Sequence, residues 1–207
     1  MDDDIYSPRV ENVPTNTSTE EAKNPINKMG AGAVDFIQTL VVFGAIFAII
    51  YLFIAQPHKV SGLSMYPNFN NGDYILTDKV SYRFGLPTDG DVIVLKNPQD
   101  ESQDFSKRVM ATPGQVIKVA GNQIYRNDSL LDEKYLPIGT PTRAGNFLHE
   151  GQEFTVPVDH YLVFGDNREH SSDSRTWGLI TKTEIIGKVI FRYFPLNTIG
   201  IIKNGNS

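Results

Sequence analysis

A mainly β chain, an antiparallel sheet domain behind one N-terminal transmembrane helix, is the fold class this sequence predicts. Three observations predict it. One long uncharged apolar run lies near the start; short runs of β-branched and aromatic residues follow it; Gly and Pro punctuate those runs about every ten residues, with no long amphipathic helical pattern between them.

Residues 1–35 come first. They are rich in Asp, Glu, Asn, Thr, Ser and Pro, and up to Lys28 hold few large apolar residues. Such a composition cannot offset the entropy of ordering, so a disordered acidic tail is expected. The span follows at 36–55, where Phe36 to Ile54 reads FIQTLVVFGAIFAIIYLFI without a charge, between Asp35 and Pro57. That length crosses the hydrocarbon layer as a helix, and apolar residues all round it argue against a half-buried core helix. A cleavable leader has a shorter apolar stretch behind basic residues, so an uncleaved anchor is expected. Lys23 and Lys28 precede the span and Lys59 follows it, which leaves its orientation open by charge.

Beyond the span, Tyr74–Thr77, Val92–Leu95, Val116–Val119 and Tyr161–Phe164 read as strands, with turn signals at Gly72-Asp73, Gly90-Asp91, Pro113-Gly114 and Gly121-Asn122. The β-rich core is expected to occupy 56–120 and 156–198. Residues 121–155, with a hairpin turning at Asn127-Asp128 and then a Pro/Gly-rich loop, are expected to be an insertion, and 199–207 a C-terminal tail.

Net charge is −5, which gives no basic footprint for nucleic acid. There is no cysteine, hence no disulfide, thiol nucleophile or thiolate metal site. A nucleophile must be an oxygen or an amine. Three segments carry such chemistry. Ser61-Gly62-Leu63-Ser64-Met65-Tyr66-Pro67 begins soon after the span, and its Gly and Pro force irregular backbone. A serine there can offer a hydroxyl to a substrate and an N–H to an oxyanion. In Phe105-Ser106-Lys107-Arg108-Val109-Met110, strand alternation puts Phe105, Lys107 and Val109 on one face. A lysine among apolar neighbours can become a base if desolvation lowers its pKa by about three units from about 10.4, equivalent to about 4 kcal/mol. The third segment, Gly165-Asp166-Asn167-Arg168 through Ser171, Asp173, Ser174, Arg175 and Gly178, is dense in polar residues directly after an apolar strand. Gly165 permits close backbone approach, Asp173 and Arg175 can pair to brace the loop, and Ser171 can orient a neutral amine.

In order and spacing, these segments together with Gly90-Asp91-Val92-Ile93-Val94 and Pro113-Gly114 resemble bacterial type I signal peptidases over about residues 36–195. The resemblance implies Ser64 as nucleophile, Lys107 as general base, Ser171 as the hydroxyl that holds the amine, and Asp173 with Arg175 as the loop brace. It also implies a mostly β fold with no metal or other cofactor. Such an enzyme sits in the cell membrane as a single-pass protein, with its catalytic domain on the outer side. Its partners are the bilayer and exported preproteins, which it cuts after small residues at the first and third positions before the cut; export machinery is compatible as a further partner. Position beside the motifs makes Val60, Met65, Phe69, Phe105 and Ser106 candidates for shallow substrate pockets.

Two departures stand out. In some relatives a helper hydroxyl lies two residues before the nucleophile, where this chain has Gly62, so Ser61 is the remaining candidate for a second oxyanion donor. Ala111 and Gln115 stand where the family usually has Gly and Asp. Two other readings stay open: a serine/histidine protease using His58, His149, His160 or His170, and a silent membrane-tethered β-domain that binds exported proteins. Tyr82, Phe84 and Leu86 are either core and loop-tip residues or a lipid-dipping loop.

Overall fold

The computed structural model describes residues 25–203 and Gly205. The chain separates into two compact units between Ala45 and Ile46. Helix α1 runs over Pro25–Ile49, starting well before Phe36, so the last part of the expected tail is helical; residues 1–24 of that tail lie outside the described residues. Pro25 suits the first helical position, where its missing N–H would have no partner in any case. Among the described residues, Val34–Ile54 is the one helical segment long and apolar enough to cross a membrane.

Within the second unit the helical path ends in a π-helical turn, Ile50–Ile54, and passes directly into strand β1 (Ala55–Lys59). The elements after it are β2 (Tyr74–Asp78), the short helix α2 (Ser81–Phe84), β3 (Val92–Asn97), β4 (Asp100–Ala111), β5 (Val116–Ala120), β6 (Gln123–Arg126), β7 (Ser129–Leu130), β8 (Glu153–Thr155), β9 (His160–Phe164), α3 (Ser174–Trp177), β10 (Ile180–Thr181), β11 (Ile185–Phe194) and β12 (Gly200–Ile201). Their ladders make one sheet in the order β1-β2-β11-β3-β4-β9-β10, with β12 on β11, and a second in the order β7-β6-β5-β8. The strand pairs of both sheets are antiparallel.

β3 explains the centre of the large sheet. Val92, Ile93, Val94 and Leu95 are all buried, so the strand is apolar on both faces, as a central strand covered on both sides must be. One face joins Val60, Met65, Phe69, Ile75 and Val189, and the other joins Val109, Tyr161, Val163 and Ile180. Each such side chain contributes about 1.5–3 kcal/mol on leaving water.

The second sheet includes Val116–Ala120, which the sequence pattern had placed in the core; it therefore begins before residue 121. β5 belongs there because it pairs with β6 across Gly121-Asn122 and with β8 on its other side. Both hairpin turns have positive φ at their two central residues, Gly121 and Asn122 at 59° and 61°, Asn127 and Asp128 at 50° and 63°. That is the twist a tight two-residue hairpin requires. The C-terminal stretch is likewise part of the fold, since Gly200–Ile201 pairs with Phe191 and Arg192.

Candidate active site

The segment between β1 and β2 is a compact irregular turn. Val60 N–H donates to the Asp73 carbonyl, Gly72 N–H to the Val60 carbonyl, and Gly62 N–H to Asn71 Oδ1. Gly62 has φ of 86°, a conformation other residues rarely adopt. Met65 and Phe69 point down into the core and are almost wholly buried, which fixes the turn from below and leaves Ser64 half-buried at its crest.

The polar loop after β9 holds this turn from the side. Asn167 N–H donates to the Ser64 carbonyl at 2.9 Å, and Asn167 Nδ2 to the Leu63 carbonyl at 3.0 Å. A Cβ at Gly165 would lie 2.4 Å from the Ser64 carbonyl oxygen and 2.2 Å from Ser171 Oγ. Only glycine lets the three approach so closely.

Lys107 arrives from β4, opposite Ile93 of β3 and on the same face as Phe105 and Val109. It is 2% exposed, its Nζ donates to Ser171 Oγ at 3.1 Å, and it lies 5.1 Å from the centre of the Phe105 ring. Burial brings its amine down to about 8; the Asp173 carboxylate opposes that fall and the Arg175 cation adds to it. Asp173 is already engaged. Its two oxygens take Arg175 Nε and Nη2 at 2.8 Å each, and Oδ2 also takes the Gly165 N–H at 3.0 Å. Among the described residues the lysine thus has a hydroxyl and a ring for company, and no carboxylate among its hydrogen-bond partners. These are conditions under which an amine gives up its charge.

Ser64 and Lys107 line one open cleft of about 220 Å³, with Ser61, Val60, Phe105 and Ser106 among the other walls. Among the described residues no hydrogen bond joins Ser64 to Lys107, and free enzymes often close such contacts only with substrate present. Next to these two, β4 has an open edge: its ladder to β9 covers Arg108, Val109 and Ala111, and leaves residues 104–107 without a strand on that side among the described residues.

Comparison with known proteins decides the lineage. The family described as "Signal peptidase, peptidase S26" matches residues 33–194. This chain belongs to that family. A probable signal peptidase I-1 from Synechocystis is 34% identical over 79% of this chain and 84% of its own length, and signal peptidase IB from Staphylococcus aureus is 31% identical over 79% and 91%. A solved signal peptidase I from Enterococcus faecalis aligns with 50% of this chain and 96% of its own, at 26% identity and a TM-score of 0.40.

Within this signal peptidase family member, the structure brings Ser64, Ser61, Lys107 and Ser171 to one place, with Gly165, Asp173 and Arg175 in the loop behind them. Of the pocket candidates, Val60, Phe105 and Ser106 line the cleft, whereas Met65 and Phe69 belong to the core beneath it. A turn has no fixed periodicity, so nearness in sequence to Ser64 does not give the direction of its neighbours. Among the histidines, His58 and His170 also border the cleft. His58 faces Thr77 Oγ1 at 3.0 Å and Asp104 Oδ2 at 3.6 Å, and burial lowers its pKa; His160 Nδ1 sits 2.8 Å from the Val158 carbonyl. Among the described residues none of the four hydrogen-bonds Ser64.

A buried charge network supports the site, and sequence reasoning missed it. Arg108 donates to both oxygens of Asp166 at 2.8 Å and lies 3.9 Å over the Tyr135 ring. Asn68, from the Ser64 turn, donates to Asp166 Oδ2 and to the Tyr135 carbonyl. Arg168 donates to the Gly165 carbonyl, Thr142 and both oxygens of Glu133. The loop that follows β7 therefore reaches the Ser64 turn through fully paired charges. Arg108 and Asp166 stood inside the motifs, but nothing local marks Glu133 or Tyr135.

Proposed function

We propose that this chain removes N-terminal signal peptides from exported preproteins at the outer face of the cytoplasmic membrane, through an acyl-enzyme on Ser64 with Lys107 as general base. The observation that carries the reading is a lysine stripped of its usual partners, held by the Ser171 hydroxyl, in the same cleft as a serine on a rigid turn. Family membership supports a peptidase, and the serine and lysine supply its chemistry.

Neutral Lys107 takes the Ser64 hydroxyl proton while Oγ adds to the scissile carbonyl carbon, moving the C=O pair onto oxygen. Among the described residues the Ser64 N–H makes no hydrogen bond within the protein, so it is free to hold that oxyanion, and Ser61 on the cleft wall is the candidate second donor. Collapse breaks the C–N bond, and the lysinium gives its proton to the departing amine. Water then loses a proton to the same lysine and adds to the acyl carbon. Breaking the C–Oγ bond returns the proton to Ser64.

An extended preprotein segment suits the open edge of β4, where backbone bonds give affinity and the shallow walls near Val60, Phe105 and Ser106 admit small side chains. Incubating the detergent-solubilised chain with a preprotein and sequencing the new N-terminus tests the proposal. Cleavage after a small-x-small segment by the wild type, lost in Ser64→Ala and in Lys107→Ala, is expected. Undiminished cleavage by either variant removes that residue from the mechanism.

A further inference from the structure

The cleft that holds Ser64 and Lys107 has a polar end that the proposed acyl transfer does not use. His58 of β1 and Asp104 of β4 both line it. In the order of the large sheet β2, β11 and β3 lie between those two strands, so the side chains meet because the sheet curls until the end of β1 faces the edge of β4. Asp104 is three residues back from Lys107 along β4, about 10 Å at the rise of a strand. The pair therefore stands apart from the reacting groups, where a substrate side chain at some remove from the cut would reach it.

Neither member of the pair satisfies the other. His58 Nε2 and Asp104 Oδ2 are 3.6 Å apart, beyond a hydrogen bond, and Nε2 is buried with no other partner among the described residues. Nδ1 is engaged, 3.0 Å from Thr77 Oγ1. The neighbouring carboxylate favours the tautomer with the proton on Nε2, in which the Thr77 hydroxyl donates to Nδ1. Burial lowers the pKa of the ring; Asp104 opposes that fall, while Lys79 and Lys96 add to it, so the ring is neutral near pH 7. Asp104 already has its counter-charge, since Lys96 Nζ donates to Oδ1 at 2.8 Å. What the pair lacks is one small uncharged group that accepts from Nε2–H and donates to Oδ2 at once. A hydroxyl is such a group, and a turn of the Asp104 side chain, which is 29% exposed, makes room for it.

Strand spacing identifies the substrate position that would bring it. Asp104 and Ser106 share a face of β4 about 7 Å apart, which is also the interval between the first and third side chains of an extended peptide laid along that edge. Ser106, next to Lys107, stands by the first, and Asp104 by the third. We infer that His58 and Asp104 are specificity-determining residues that select a hydroxyl-bearing side chain, Ser or Thr, at the third residue before the cut, an inference that rests on the peptidase reading of this cleft and deepens it. The hydroxyl accepts a hydrogen bond from Nε2–H and donates one to Oδ2.

The full-length, detergent-solubilised chain is given preproteins that differ only at the third residue before the cut. Thr and Val form a pair matched in size, Ser and Ala a second pair, and Lys a cationic control, with the members of each pair competing in one tube so that the ratio of kcat/KM is read directly. Thr over Val and Ser over Ala by about fivefold, the worth of one net hydrogen bond, is the expected result. His58→Phe and Asp104→Ala should each bring both ratios close to one, whatever the absolute rate. Equal cleavage of Thr and Val by the wild type overturns the inference and leaves the peptidase reading standing. Because the wild-type ratio alone can do this, a variant that fails to fold does not shelter the proposal. A hydroxyl preference that survives both substitutions overturns the assignment to this pair, and Lys cut faster than Thr shows Asp104 to be a cation site and overturns it too. No cleavage of any of the preproteins overturns the peptidase reading, and the inference with it.

Discussion

Lys107 and Arg108 are neighbours on β4 and project from its opposite faces. Lys107 meets Phe105, Val109 and the Ser171 hydroxyl, and its amine falls to about 8. Arg108 is as deeply buried, but it meets the Asp166 carboxylate bidentately, the Gly90 carbonyl and the Tyr135 ring. Burial alone therefore does not decide what becomes of a cation. The partner does: a buried amine held by a hydroxyl holds its proton less tightly, and a guanidinium paired with a carboxylate keeps its charge and becomes a strut. The residue types suit the two tasks, because lysine can lose its proton in a protein and arginine cannot.

The largest effect should come from removing that contrast. Lys107→Arg puts a permanent charge where a lone pair is needed, and we expect kcat to fall by at least about 10²–10⁴-fold, the contribution of a general base, in a variant whose preprotein binding is measured separately. Next in size, Asp166→Asn makes Arg108 resemble Lys107 by leaving its charge buried and unpaired. Unfolding of the solubilised protein in denaturant should show a loss of about 3–5 kcal/mol. If the loss is near zero, Arg108 is less dependent on its partner than the geometry implies.

The pH profile sharpens the same comparison. In the proposed mechanism the active form holds neutral Lys107, so activity should rise with pH through about 8 and fall as protonation proceeds below it, close to tenfold per unit well below the midpoint. A limb that stays near 10 would mean that the lysine keeps its charge and is not the base. The smallest effect belongs to Ser171→Ala, which removes one hydrogen bond to the amine. It should lower kcat by about fivefold, near 1 kcal/mol, with little change in KM.

The same pair shows what could be read from the chain. Strand alternation already placed Lys107 with Phe105 and Val109, and the uncharged run and the β-rich pattern were plain in composition and period. Those signals are local, and local signals survive without coordinates. The partner of Arg108 was legible only as a carboxylate somewhere in the polar motif, while Glu133 and Tyr135 come from a loop whose sequence says nothing of its reach across to Arg168 and Arg108. Met65 and Phe69, expected beside the substrate, lie buried beneath the cleft for a related reason. In a turn pinned by Gly62, direction is set by what lies beneath it, not by any repeat along the chain.

Gly165 has a consequence for accuracy. Since it lies between the Ser64 carbonyl and the Ser171 side chain with no side chain of its own, the spacing between the two is set by the Gly165 backbone. No rotamer intervenes at that point, so thermal hopping of a spacer side chain cannot blur the alignment. The Ser64 turn is held to the tolerance of a main-chain contact, and a single methyl group added there would act as a wedge driven between the Ser64 carbonyl and the Ser171 side chain that holds the Lys107 amine.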